Sequence, residues 1–309
     1  MSTPRTLTLP AGIRRLTLRT TRGSFAALEA LPGSGVRERQ PALLIPGYTG
    51  SKEDFLPVLQ LLAAAGRQVI AIDMRGQYET PGTDDPSSYD IAALAADVAL
   101  IADQLHAAAP GAPPRRTGGA DGVHLLGHSF GGLVAREVLL AQASRISSLT
   151  LMSSGPAGLT GPRAVLLKGL LAELGATADG DLQAQVKRVW DVHLEPEAVA
   201  DGVPGPILDF VRTRMLTSSP TGLRSMAENL LACPDRTRAL ASLDIAPFLV
   251  VYGEDDDAWD PAIQEDMALR LNAERVCIPG AAHSPAVEAP ETTASTLTQF
   301  WNSTECRRR

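Results

Sequence analysis

An α/β fold, with a mostly parallel sheet flanked by helices and one helical insertion, is what this 309-residue sequence predicts. Three observations carry that reading. Short continuous apolar runs alternate with helical patterns, the mark of parallel strands covered on both faces. One such run, 123–126, passes through a glycine-flanked serine straight into a helical pattern at 133–140. Between 155 and 231 the strand patterns stop and only helical ones continue, too long a stretch for a single crossover.

In chain order, residues 13–18 and 24–31 read as two strands around Thr21-Arg22-Gly23, an antiparallel hairpin. Six apolar strands follow at 42–45, 68–72, 123–126, 149–152, 248–252 and 275–278, giving an eight-stranded sheet. A helix starts at Ser51, where Ser51-Lys52-Glu53-Asp54 resembles a capping box, and runs through Leu62. Ile91, Leu94, Ala95, Val98, Ile101, Ala102 and Leu105 form one face of a second helix. Residues 110–122, rich in Pro, Gly and Arg, read as a surface loop, and 290–301 as a closing helix. Helical stretches at 165–174, 182–192 and 207–215 fill the insertion. The expected division is therefore a core of 1–154 and 232–309 with a helical cap of 155–231. No internal repeat occurs.

Composition narrows the function classes. A net charge of −7 and a pI near 5.3 disfavour nucleic acid or an anionic membrane as partner. Lys52, Lys168 and Lys187 are the only lysines, so arginine supplies nearly all positive charge. Three scattered cysteines, Cys233, Cys277 and Cys306, offer neither a disulfide framework nor a metal spacing. Residues 1–10 lack the apolar stretch of a secretory signal and read as a short irregular lead-in, and no apolar run has the length of a membrane span. The expectation is a cytoplasmic protein acting on a small molecule without a cofactor or metal. The closing Arg307-Arg308-Arg309 reads as a solvated tail.

Gly127-His128-Ser129-Phe130-Gly131-Gly132 is the most informative stretch. Strand, tight turn and helix with a serine at the tip form the G-x-S-x-G nucleophile elbow. Small residues are needed where that strained turn crowds itself, and the N–H groups after the serine open a helix N-terminus that favours negative charge. A serine hydroxyl needs a base, a histidine oriented by a carboxylate, and in this fold the order is serine, acid, histidine. His106 and His193 lie on helical patterns and His124 in a strand. His128, beside the nucleophile on a tight turn, is expected to point elsewhere. His283, directly after the last strand in Pro279-Gly280-Ala281-Ala282-His283, is the expected base. The strand ending at Met152 is followed by no carboxylate, whereas the one ending at Tyr252 runs into Gly253-Glu254-Asp255-Asp256-Asp257 and Asp260. The acid lies in that cluster, whose surplus carboxylates are expected to be solvated, to cap the helix starting near Pro261, or, less simply, to hold a metal. Phe130 N–H is one expected donor to a developing oxyanion, and Tyr48 N–H, in Pro46-Gly47-Tyr48-Thr49-Gly50 after the 42–45 strand, is the other.

With these residues in hand the chain resembles the α/β-hydrolase superfamily over roughly Ile13 to Trp301. The resemblance rests on Pro46-Gly47-Tyr48, Asp73-Met74-Arg75-Gly76, the elbow, the Gly-x-x-Asp turn at Gly253 to Asp256, and Gly280 to His283. It implies Asp256 as the acid, since the family acid commonly sits three residues after such a glycine. It also implies a helical cap where this chain carries its insertion. Two departures stand out. Pro46 replaces the histidine that many members carry before this glycine, which alters a supporting hydrogen bond. Asp-x-Arg-Gly continues as Gln77-Tyr78-Glu79-Thr80 where many members have Gly-x-Ser, which alters packing near the site. Dehalogenases and epoxide hydrolases of the superfamily carry aspartate at the elbow, and Ser129 argues against them. The expected activity is hydrolysis of an acyl bond, a carboxylic ester first. Thioesterase, lactonase, carbon–carbon hydrolase and cofactor-free perhydrolase chemistry, or a binding protein that kept the fold, are the alternatives. Met215, Met226, Trp190, Phe210 and Leu166 are the expected cap residues lining an apolar pocket.

Overall fold

The computed structural model describes residues 2–34, 36, 38–106, 122–141, 145–175, 181–243 and 246–307. The surface loop expected at 110–122 lies, but for Gly122, outside the described residues, as do Arg308 and Arg309. In order, the chain forms β1 (Ile13–Thr20), β2 (Gly23–Ala30), β3 (Ala42–Ile45), α1 (Leu56–Ala64), β4 (Val69–Ile72), α2 (Ile91–His106), β5 (Val123–His128), α3 (Phe130–Leu140) and β6 (Ile146–Met152). Then come α4 (Gly161–Leu174), α5 (Leu182–Val189), α6 (Glu195–Ala200), α7 (Gly205–Thr217), α8 (Pro220–Ala232) and α9 (Thr237–Ala241). The chain closes with β7 (Phe248–Gly253), α10 (Pro261–Leu271), β8 (Glu274–Ile278), α11 (Pro285–Glu288) and α12 (Pro290–Arg307).

The eight strands make one sheet in the order β1-β2-β4-β3-β5-β6-β7-β8. The β1–β2 and β2–β4 pairs are antiparallel, and the remaining five pairs are parallel. Successive side chains of a strand face opposite sides, and here both sides are covered. Leu43, Ile45 and Leu125 pack with Phe130 and Leu133 on one face. Leu44 and Leu126 pack with Val58, Leu59 and Trp301 on the other. That double burial is why the central strands read as unbroken apolar runs rather than alternating ones.

The helices between β6 and β7 bury a third apolar cluster of their own, including Leu174, Val189, Trp190, Ile207, Met215 and Leu223. Sequence periodicity located α4, α5 and α7 but passed over α6, α8 and α9, whose apolar residues are interrupted by charges and prolines. The two ends of this insertion are drawn together. Gly158 N–H donates to the Cys233 carbonyl at 2.8 Å, and Leu159 N–H to Leu230 at 2.8 Å. Arg136, buried on α3, donates from its guanidinium to the carbonyls of both Pro156 and Pro234. The lead-in is more ordered than its sequence suggests. Leu7 packs against the insertion cluster and Leu9 against the core, so the segment spans the seam between them. Among the described residues no helix is long and apolar enough to cross a membrane.

Candidate active site

Ser129 sits between β5 and α3 with φ 54° and ψ −122°, a left-handed conformation that costs a serine on the order of 1–3 kcal/mol. The surroundings enforce it. Ser129 N–H donates to the Met152 carbonyl at 2.9 Å, and its own carbonyl accepts from Gly132 N–H at 2.9 Å. The turn closes so tightly that a Cβ on Gly127 would lie 2.2 Å from the Gly131 carbonyl oxygen.

The elements after β7 and β8 bring the other groups to this point. Ser129 Oγ lies 3.0 Å from His283 Nε2, and His283 Nδ1 lies 2.9 Å from Asp256 Oδ1. A carboxylate against Nδ1 assigns the proton to that nitrogen and leaves the Nε2 lone pair facing the serine hydroxyl. Asp256 is almost wholly buried. Burial pushes its carboxyl up, but hydrogen bonds from His283, Ala258 N–H and Gln264 outweigh that and hold it below the usual carboxylate range. Gln264, fully buried on α10, donates from Nε2 to Asp256 Oδ2 at 2.9 Å and to the Trp259 carbonyl at 2.8 Å. The two loops are also pinned to each other, with Asp255 N–H on the Ala281 carbonyl at 3.0 Å.

The surplus carboxylates are disposed of separately. Asp257 points to the surface and pairs with Arg163 of α4. Glu254 accepts from Gly280 N–H at 3.2 Å, and Asp260 caps α10 by accepting from Ala262 N–H at 2.8 Å. Among the described residues no group of three or more His, Cys, Asp or Glu is arranged to hold a metal ion.

Gly47 brings the β3 loop against the serine: a Cβ there would lie 2.9 Å from Ser129 Cβ and 3.4 Å from its Oγ. Neither Tyr48 N–H nor Phe130 N–H hydrogen-bonds another described residue; Tyr48 lines the same cavity as Ser129, and Phe130 follows Ser129 as the first residue of α3. Burial pushes the Tyr48 phenol up, so it stays neutral.

His128 corrects the expectation that it points away. Its ring turns under the site, 5.1 Å from that of His283, and Nε2–H donates to the His283 carbonyl at 2.7 Å. Burial above all, and the neighbouring His283, lower its pKa to about 3, so it stays neutral. It is a brace for the His283 loop, and the residue's neighbourhood in sequence gave no sign of it. Gln264 was equally silent, because a helical glutamine carries no pattern.

A cavity of about 190 Å³ opens over Ser129 and His283. Leu159, Leu167, Leu170, Leu174, Val189 and Met215 give it an apolar wall, while Thr3, Arg163, Glu197 and Asp201 stand at its polar positions. Of the five cap residues expected to line it, Met215 and Leu166 do. Trp190 is sealed inside the insertion's own cluster, and Met226 is buried against the sheet. Phe210 lies edge-on to Tyr78 at 5.5 Å, away from the cavity wall. Size and apolarity selected those three, and the same properties send a side chain into a core.

Such an arrangement can deprotonate a hydroxyl, attack a carbonyl and hold the resulting oxyanion. A model of the alpha/beta hydrolase family matches residues 42–296. A protein of Variovorax paradoxus named "putative carbamate hydrolase" is 36% identical over 120 residues, 39% of this chain and 40% of that one. Over nearly full length, a Bacillus subtilis protein named "putative 2-succinyl-6-hydroxy-2,4-cyclohexadiene-1-carboxylate synthase" is 25% identical over 89% of this chain and 94% of its own. The thermophilic esterase of Thermogutta terrifontis superposes with a TM-score of 0.66 at 22% identity, covering 94% of this chain and 99% of its own.

Proposed function

The chain belongs to the α/β hydrolase family, and on that premise we propose that it is a serine hydrolase of acyl bonds, acting on a carboxylic ester of a small to medium apolar substrate. The observation that carries the reading is the unbroken line from Asp256 through His283 to Ser129, 2.9 and 3.0 Å per step, with the N–H groups of Tyr48 and Phe130 without a partner among the described residues. Ser129 Oγ attacks the acyl carbon as His283 Nε2 takes its proton. Asp256 stabilises the imidazolium through Nδ1, and the N–H groups of Tyr48 and Phe130 hold the oxyanion. The imidazolium then gives its proton to the leaving alcohol, leaving an acyl-enzyme. Water, deprotonated by the same nitrogen, releases the acid.

The pocket supports the substrate class. Its wall is leucine, valine and methionine, which reward apolar groups at about 25 cal/mol per Å² buried. Two carboxylates, Glu197 and Asp201, stand at its exposed positions, and the cation Arg163 is engaged by Asp257, which disfavours an anionic substrate. The carbamate named for the first relative is also an acyl derivative, in keeping with this chemistry. A panel of p-nitrophenyl esters and matching thioesters, graded from two to twelve acyl carbons, tests the proposal. Rates should peak at short to medium chains and fall for longer ones, with emulsified triglyceride poorer still. Faster turnover of thioesters would move the substrate class, and interfacial activation on triglyceride would overturn the small-substrate reading.

A further inference from the structure

The departures from the family pattern meet at one hydrogen bond. Gln77, 2% exposed, donates from Nε2 to the Gly47 carbonyl at 2.8 Å and accepts Met74 N–H on Oε1 at 3.0 Å. With both ends of its amide engaged, the side chain has one orientation. The Gly47 carbonyl also accepts from Gly50 N–H at 3.1 Å, so both of its lone pairs are occupied. The peptide between Gly47 and Tyr48 is planar and trans, so its C=O and its N–H point in opposite directions. Holding the carbonyl toward Gln77 therefore aims Tyr48 N–H to the other side. The loop does not hold itself there by backbone preference, for Thr49 sits at φ 57°, an uncommon conformation for a β-branched residue.

Gln77 is in turn held by the insertion. Its neighbour Tyr78 has φ 41° and donates its N–H to Ser218 Oγ at 3.0 Å. Ser219 N–H donates to the Gly76 carbonyl at 2.8 Å. Ser218 and Ser219 form the junction of α7 and α8, and Ser218 Oγ is itself tied to the Arg214 carbonyl at 2.7 Å. A continuous chain of bonds thus runs from the insertion to the oxyanion loop.

We propose that Gln77 is the positioning residue that aims Tyr48 N–H at the oxyanion, and that the α7–α8 junction sets Gln77, so that seating of the insertion and readiness of the oxyanion hole are coupled. The proposal rests on Ser129 acting as an acyl nucleophile. It assigns Gln77 a support for the loop where Pro46 stands in place of the familiar histidine. Losing its aim should affect the step that develops negative charge and leave ground-state binding alone.

Gln77→Met removes donor and acceptor at similar length, whereas Gln77→Glu keeps the acceptor for Met74 N–H and turns an oxygen against the Gly47 carbonyl. Both are compared with the unmodified enzyme for kcat and KM on one short p-nitrophenyl ester. Inhibition by a trifluoromethyl ketone, which forms an oxyanion on Ser129, is set beside inhibition by the corresponding secondary alcohol, which does not. The expected result is kcat down about 10- to 100-fold, less than loss of a whole donor costs, with KM within about threefold. Ketone affinity should fall by the same factor as kcat/KM and alcohol affinity should hold. Ser218→Ala should show the same pattern more weakly, and Ser218→Thr, which keeps the hydroxyl, should restore it. If the Gln77 variants do not fold, the Ser218 pair decides alone. Unchanged kcat and ketone affinity, or ketone and alcohol affinities falling together, would overturn the proposal while leaving the serine hydrolase reading standing. An unmodified protein that hydrolyses none of the esters and binds no ketone would overturn that reading and this proposal with it.

Discussion

The floor and the roof of the cavity hold their residues by different forces. The floor is made of strand ends, their loops and the start of α10, where Ser129, His283, Asp256, His128 and Gln264 are each fixed by directional hydrogen bonds between 2.7 and 3.0 Å. The roof is made of helices whose contribution is mainly non-directional contact, Leu167, Leu170, Leu174 and Val189 among them. Hydrogen bonds fix angles, while apolar packing fixes only volume. A reacting group needs the first and a substrate chain needs only the second. Changes to the floor should therefore alter rate, and changes to the roof should alter stability and range.

Besides the bonds of Ser218 and Ser219 to Tyr78 and Gly76, two arginine ties join these regions and qualify the contrast. Arg136 on α3 grips both ends of the insertion. Arg214 on α7 reaches down to Asp54 at 2.8 Å, both side chains nearly inaccessible to solvent. The roof is thus rooted in the helix that follows Ser129 and pinned close to the loop that carries Gly47 and Tyr48.

The sharpest contrast lies within the acidic turn. Asp256→Asn should lower kcat by about 10⁴-fold with little change in KM, because the amide favours the wrong histidine tautomer. Asp257→Asn, one residue on, removes only a surface pair with Arg163 and should stay within a few-fold. Equal losses in steady-state kinetics would mean the floor is not built around Asp256. Arg214→Met should strand a buried carboxylate and cost about 3–5 kcal/mol of unfolding free energy in denaturant titration. Adding Asp54→Asn should recover much of it, and a single variant as stable as the parent would remove this tie from the account. A smaller effect concerns His128. Its pKa is lowered from 6.5 to about 3 in the folded state, so between those values the unfolded chain binds the extra proton and stability rises with pH. Relative to pH 7, that amounts to a loss of about 2 kcal/mol at pH 5 from this residue. His128→Asn should flatten the pH dependence of thermal unfolding in that window, and an unaltered slope would contradict its burial as a neutral brace.

What could be read from the sequence follows the same division. Parallel strands buried on both faces leave unbroken apolar runs, which exposed the central strands, and a turn signal exposed the antiparallel β1–β2 hairpin. The start of β6 and the end of the helix α12 lie a few residues beyond the sequence reading. Ser129 and His283 carry their own signals, a glycine-flanked turn and a loop histidine at a strand end. Asp256 could be singled out from four neighbouring acids only through the family resemblance, since adjacent residues differ by direction, which composition does not encode. His128, Gln264 and Gln77 act through one or two directed hydrogen bonds each, which have no period and leave no trace in the sequence pattern. The roof was least legible. On α4, Val165 is 70% exposed and Leu166 46%, while the adjoining Leu167 is 6% exposed. Apolar residues on every side of a helix give no phase from which to tell wall from surface.

On the proposed function, Ser129 is an acyl-accepting nucleophile activated from the floor of this cavity. Incubation of the folded protein with a fluorophosphonate, followed by intact mass and peptide mapping, addresses it directly. One adduct per chain is expected, on the peptide carrying Ser129, and none on a Ser129→Ala protein whose thermal unfolding matches the parent. Labelling at another residue, or no labelling while a known serine hydrolase reacts under the same conditions, would contradict it.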